Sequence, residues 1–114
     1  EALNSQDGKD LACIAEMYFL DKDGSRLSRE PWIVKYADSE DVAHVNRSAD
    51  KTFDLQESTY WSTEKGSPYP HTIVIDLGSS HAVTGFQCLP RMESEVPGGI
   101  KDFKIYVKGE NFKY

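Results

Sequence analysis

The chain has 114 residues and is 39% hydrophobic, enough to bury one modest core, so a single domain is expected. Nineteen acidic against thirteen basic residues leave a net charge of −6. The lysines and arginines are scattered rather than clustered, which argues against nucleic acid and against an anionic membrane lipid surface as the main partner. No apolar run reaches the length of roughly 18 residues that a membrane-spanning helix needs. Residues 1–11 are polar and charged and lack an apolar signal core. They read as a flexible N-terminal segment ahead of a domain over 12–114, and any secretion signal of a parent protein would lie outside this stretch.

Residues 12–20, ACIAEMYFL, place Cys13, Ala15, Met17 and Phe19 on one face at period two, which predicts a strand. Asp21 to Ser25 then turns the chain. The acidic spacing invites an EF-hand reading, but the glycine comes too early and Trp32 stands where a closing glutamate belongs, so a hairpin turn or short loop is expected. Pro31 to Tyr36 alternates Trp32, Val34 and Tyr36 against Ile33 and Lys35, a second strand with Trp32 in the core. Asp38-Ser39-Glu40-Asp41 is a polar turn with helix-capping residues, and any helix there is short. Asn46-Arg47-Ser48 has the form of a glycosylation sequon and also reads as a solvated loop.

From residue 72 onward the pattern is strand, turn, strand, loop, strand. Ile73, Ile75 and Leu77 share one face, Phe86 and Cys88 another, and Phe103, Ile105 and Val107 a third. Gly78-Ser79-Ser80 and Pro97-Gly98-Gly99 punctuate them, and Asp76 is placed to hold turn amides at a strand end. Short strands between irregular loops, with almost no helical periodicity, describe an all-β sandwich. Cys13 and Cys88 match no zinc spacing. They read as two buried free thiols, or as one disulfide if their strands are neighbours.

The stretch 49–63, ADKTFDLQESTYWST, is a polar, carbonyl-rich loop closed by Trp61, and the segment from Pro70 to Gly78 comes after it. Asp54, Thr59 and Trp61 can form an oxygen-lined pocket sealed by an indole, which suits a calcium ion better than a reaction. An equally simple reading has Asp54 capping the loop and Thr59 satisfying it. No zinc-protease, nucleophile-elbow, phosphate-loop or dinucleotide motif is present. Glu93 and Glu95 share one short loop, whereas a glycosidase needs carboxylates about 5 to 9 Å apart across a bond.

Taken in order and spacing, Asp54 to Trp61, Ile73 to Gly78, Val83-Thr84-Gly85-Phe86 with Leu89-Pro90-Arg91, and Ile100 to Val107 resemble the coagulation factor type C, or discoidin, domain. Its bacterial branch is the family 32 carbohydrate-binding modules. The resemblance covers roughly residues 12–114 and implies a jelly-roll β-sandwich. Family members usually continue past the strand matching 103–107 with strands that complete the sandwich; either the sandwich is truncated here or another segment fills that gap.

The resemblance implies a calcium ion held by the Lys51 carbonyl, the Asp54 carboxylate, the Gln56 carbonyl and Thr59 through its hydroxyl and carbonyl. The family often has glycine where Leu55 stands and an acidic or amide residue at the position of Gln56. The further carboxylate that the family draws from its C-terminal strand has no counterpart in this chain. The sugar site that the resemblance implies centres on Arg91, with Glu93 and Glu95 in the same loop and Ser62, Thr63, Glu64 and Tyr69 in the loop after Trp61. Arg91 also reads as a surface arginine paired with a neighbouring glutamate. Tyr69, between Pro68 and Pro70, is either a displayed platform or a ring packed on the loop, and Trp61 matches the family's core tryptophan. Many galactose-binding members have histidine where Ser62 stands and asparagine where Pro97 stands.

In function, the resemblance implies a non-catalytic, secreted, periplasmic or cell-surface carbohydrate-binding module. It would direct a catalytic domain of the same parent chain, a glycoside hydrolase such as a hexosaminidase, to a glycan. The alternatives are a protein or cell-surface adhesion module and a structural spacer beside a catalytic domain.

Overall fold

The computed structural model describes residues 1–6, 8–79, 81–90 and 99–106. Among these, six short strands and one 3-10 helix form: β1 Cys13–Ile14, β2 Glu16–Leu20, β3 Ile33–Ala37, the 3-10 helix Ala49–Phe53, β4 Trp61–Ser62, β5 Ile73–Asp76 and β6 Gly85–Leu89. The strands pair antiparallel as β1 with β4, β2 with β6, and β3 with β5. The all-β class expected from the sequence is the one found. No helix among the described residues is long and apolar enough to cross a membrane.

The strand foreseen over 12–20 is two strands. A bend at Ala15 separates β1, which faces β4, from β2, which faces β6. The bend changes the alternation, so that Ile14 and Met17 both enter the core cluster with Ala12, Ala49 and Trp61. Beyond it period two returns: Met17 lies opposite Cys88 and Phe19 opposite Phe86. Gly85 sits opposite Leu20, where an added Cβ would come within 2.9 Å of the leucine Cδ1.

A bulge similarly rephases β3. Val34 pairs with Ile75 and Tyr36 with Val74, which leaves Lys35 as the extra residue. Val34 and Ala37 therefore pack on the core while Tyr36 is exposed, in place of the uninterrupted alternation of Trp32, Val34 and Tyr36. Trp32 is buried as expected, with Phe19 and Phe53 rings against it. Ile73 and Ile75 of β5 face Met17 and Phe86 of the other sheet across the core. A cleft of about 780 Å³ runs between these sheets, walled by Met17, Phe19, Ile75, Phe86 and Cys88.

Turns are held by the side chains that the sequence nominates. Asp21 accepts the N–H groups of Asp23 and Ser25 at 2.8 and 3.0 Å, closing the β2 turn without any EF-hand geometry. Asp76 accepts the Gly78 N–H at 2.8 Å. The described helix lies at 49–53 rather than in the polar turn 38–41. Neither cysteine is in a disulfide; Cys13 is buried opposite Ser62, whereas Cys88 is exposed, so they are not the pair of buried thiols expected.

The segment 1–11, read from sequence as flexible, includes backbone hydrogen bonds that reach far along the chain. Ala2 exchanges N–H and C=O bonds with His71, and the N–H groups of Leu3 and Gln6 donate to the carbonyls of Asp102 and Gly99. Ala2 and Ser5 are buried.

Candidate functional site

The 3-10 helix delivers the chain to Asp54, which ends it with φ −84° and ψ 5°. The next residue, Leu55, adopts φ +65° and is 64% exposed. That left-handed step folds the loop back on itself. One Asp54 oxygen, Oδ1, accepts the Gln56 N–H at 3.1 Å, and the other, Oδ2, accepts the Thr59 hydroxyl. The same hydroxyl lies 3.0 Å from the Gln56 carbonyl oxygen, which also accepts the Thr59 N–H at 3.3 Å. A carboxylate, a carbonyl and a hydroxyl thus converge on one spot. Lys51 sits on the helix before them, its Nζ 3.9 Å from Asp50.

These are hard oxygen donors, the kind that calcium collects six to eight of, main-chain carbonyls included. Asp54, Gln56 and Thr59 fit such an ion in chemistry and proximity. Side chains alone do not make the site: among the described residues no group of three or more His, Cys, Asp or Glu side chains is placed to hold a metal.

Behind this loop lies a buried charged group that sequence reasoning missed. Glu16 is 1% exposed, and its Oε2 is bonded to Nη1 of Arg29. The Arg29 Nη1 also reaches the carbonyls of Met17 and Thr52 at 3.5 and 3.4 Å, tying β2 to the 3-10 helix. The guanidinium lies over the Tyr18 ring at 4.2 Å, and Arg26 lies over the same ring at 3.8 Å. Burial pushes the Glu16 carboxyl above its ordinary range; the Arg29 contact opposes this, and the charges of Asp54 and Glu57 add to it. Its Oε1 has no partner among the described residues. Arg29, Asp50, Phe53, Asp54 and Leu55 border a hollow of about 260 Å³ beside it. The available signal was a lone glutamate inside the apolar run ACIAEMYFL, a residue type seldom buried without a partner.

The residues nominated for sugar contact are placed differently from one another. Ser62 is 4% exposed, and its hydroxyl donates to the Thr63 carbonyl at 2.9 Å while lying 3.3 Å from the Cys13 sulfur. Thr63 is buried and accepts the Ala12 N–H at 2.9 Å. Glu64 is exposed, with its own N–H donated to the Ser39 hydroxyl. Tyr69 donates its hydroxyl to the Leu11 carbonyl at 2.6 Å and sets its ring edge-on to His71, so it packs on the loop. Arg91, Glu93 and Glu95 lie outside the described residues. Trp61, 1% exposed with its indole N–H on the Ser39 carbonyl, belongs to the core and is no stacking plate.

A family model for the F5/8 type C domain matches residues 35–114. A sialidase of Micromonospora viridifaciens is 34% identical over 73 residues, covering 60% of this chain and 11% of the sialidase. A galactose oxidase of Gibberella zeae is 31% identical over 91 residues, covering 76% of this chain and 13% of the oxidase. The chain therefore spans about an eighth or less of the length of these curated relatives.

Proposed function

The chain belongs to the F5/8 type C domain family, and from that premise we propose that it is a glycan-binding module joined to a carbohydrate-active enzyme. The family is often carbohydrate-binding and its domains are typically non-catalytic. The observation that carries the reading is the pairing of this family match with two relatives whose names, sialidase and galactose oxidase, denote enzymes of sugar chemistry. The domain would work outside the cytoplasm, holding a neighbouring catalytic domain of the same parent chain near its substrate.

In this proposal Arg91 supplies charge-assisted donors to sugar hydroxyls, with Glu93 and the exposed Glu64 as acceptors. Tyr69 and Ser62 support the loop from within, through the Leu11 and Thr63 carbonyls. A handful of hydrogen bonds leaves a net of roughly 4 to 6 kcal/mol, near the millimolar end of the affinity scale, so function rests on avidity and tethering.

Calcium belongs to the same proposal. Lys51 and Gln56 through carbonyls, Asp54 through its carboxylate and Thr59 through hydroxyl and carbonyl would hold it. Its contribution is a doubly charged centre that stiffens the loop around Leu55.

Binding to a glycan array, with and without chelator, tests the reading. Selective binding that is lost in Arg91→Ala while the fold is kept supports it; binding unchanged by Arg91→Ala refutes the site. A second reading, adhesion to a protein or cell surface, is favoured by one feature. The loop closed by the Asp41–Arg47 bridge exposes Val42 and Val45 by 57% and 54%. Silence across the array with a folded protein would favour it.

A further inference from the structure

We propose that Asn46, which opens the sequon Asn46-Arg47-Ser48, is the acceptor for an N-linked oligosaccharide when the chain passes through a secretory pathway that makes this transfer. The inference rests on the reading that the domain works outside the cytoplasm. Arg47, the middle residue, is not the proline that would block the site. The other asparagines, Asn4 and Asn111, have Gln6 and Lys113 where serine or threonine is needed, so Asn46 stands alone in this respect.

Transfer takes place on the emerging chain, so the fold has to supply room for a bulky, hydrated product and an amide nitrogen that it does not need. Asn46 meets both conditions. It is exposed, at the end of a loop whose base is fixed. The Arg47 N–H donates to the Asp41 carbonyl at 3.0 Å, the Arg47 carbonyl accepts the Ser62 N–H at 3.1 Å, and the guanidinium lies 4.0 Å from the centre of the Tyr60 ring. Asn46 enters its turn through Oδ1, which accepts the Ser48 N–H at 3.1 Å. Its Nδ2 has no hydrogen-bond partner among the described residues. An aspartate would make the same turn. The nitrogen that distinguishes asparagine is therefore idle in the fold, and it is the atom that the transfer consumes. Ser48 stands at the N-cap of the 3-10 helix but makes no side-chain cap bond; its hydroxyl goes to Asp50 at the surface.

The donor is an oligosaccharide carried on a polyprenyl diphosphate. Nδ2 attacks C1 of its first sugar, the bond from C1 to the diphosphate oxygen breaks, and the lipid diphosphate leaves with the bonding pair. The nitrogen gives up one proton, and nothing is oxidised or reduced. The product is anchored one residue from Val45 and four from Val42, which are 54% and 57% exposed. A hydrated oligosaccharide there covers the valine pair, so the modified domain would not present it to a protein partner.

The test secretes the full chain from eukaryotic cells behind a signal sequence, beside Asn46→Asp, which keeps the turn, and Ser48→Ala. Intact mass and peptide mapping are read before and after treatment with peptide N-glycosidase in ¹⁸O water. Wild type should exceed its sequence mass by one oligosaccharide, and the enzyme should remove it and leave ¹⁸O-labelled aspartate in place of Asn46. Both variants should be secreted at their sequence mass. Should a variant fail to be secreted, the peptide map of wild type decides. Folded wild type secreted with Asn46 unmodified overturns the inference, as does an oligosaccharide that persists in both variants. Enzyme-treated wild type then goes to the glycan array. Selective binding by a chain whose Asn46 was never modified overturns this inference and leaves the glycan-binding reading standing; a modified Asn46 with a silent array supports the inference and counts against that reading.

Discussion

Asp38 holds the buried ring of His71 at 2.7 Å between Oδ2 and Nδ1, and through Oδ1 it accepts the Thr72 N–H, also at 2.7 Å. Asp38 comes directly after the last residue of β3, and His71 and Thr72 precede β5, so one carboxylate joins the ends of a strand pair. The far ring nitrogen, Nε2, lies 3.0 Å from the Ser67 carbonyl, and Ala2 bonds the His71 backbone. Removing the carboxylate leaves a buried ring nitrogen and an amide without their acceptor. Asp38→Ala should therefore lower the unfolding free energy by about 2 to 3 kcal/mol, read by urea denaturation. A loss below about 0.5 kcal/mol would mean that water replaces the carboxylate freely and that the pair is an ordinary surface contact.

Trp61 and Tyr69 flank the 62–69 stretch proposed for sugar contact, yet both serve the interior. Trp61→Ala should cost about 3 to 5 kcal/mol, as expected for an aromatic truncated in a core. Tyr69→Phe should cost about 1 kcal/mol through the hydroxyl on Leu11, with glycan binding retained. Calorimetric unfolding of both variants beside a glycan titration checks this. Full stability with lost binding in Tyr69→Phe would instead make its hydroxyl a sugar contact.

The fold class was legible because period-two runs survive wherever the strands are regular: Ile73 with Ile75, and Phe86 with Cys88, keep the faces that the alternation assigns. It failed where the backbone adds a step. The bend at Ala15 and the bulge at Lys35 each shift the phase by one residue, and neither is marked by the glycine or proline that would announce it. The capping of the loop by Asp54 through Gln56 and Thr59 was readable because these residues are close in sequence. Glu16 was not, because its relation to Asp54 comes from β2 packing beneath the 3-10 helix, a contact between distant parts of the chain. Ser62 reads as a ligand residue from its place beside Trp61, but in β4 it faces the buried Cys13.

Gly78 is a second place where the chain's geometry is demanding. It adopts φ +85°, and an added Cβ would come within 2.8 Å of the Pro31 Cβ and 3.3 Å of its carbonyl oxygen. The left-handed backbone penalises any L side chain by about 1 to 2 kcal/mol, and a close approach to a proline ring adds to it. Gly78→Ala should lose about 2 kcal/mol or more, while Gly66→Ala, at φ +83° with open space around it, should lose only the backbone part. Equal losses at the two sites would show that the Pro31 contact relaxes at no cost.

Leu55 presents the reverse case, an exposed side chain held at φ +65°. Glycine removes the left-handed penalty of about 1 to 2 kcal/mol, and its greater freedom in the unfolded chain offsets part of that gain. Leu55→Gly should stabilise the domain by up to about 1 kcal/mol in thermal unfolding. Destabilisation would mean that the leucine side chain makes a contact worth more than the strain of its backbone.

The Glu16 carboxyl gives the folded protein a pH dependence of unusual sign. Burial raises its folded pKa above the unfolded value of about 4.3, against the pull of Arg29. The folded state then holds the proton more tightly than the unfolded state, so this group's contribution is fully present below the unfolded value. It is lost as pH rises through the raised folded value. Wild type should gain stability relative to Glu16→Gln as pH falls from neutrality into the glutamate range, because only wild type takes up the proton. Urea unfolding of both proteins across that window gives the difference directly. A difference that moves the other way, with wild type losing ground on acidification, would show that Arg29 outweighs burial and that the ion pair holds Glu16 charged.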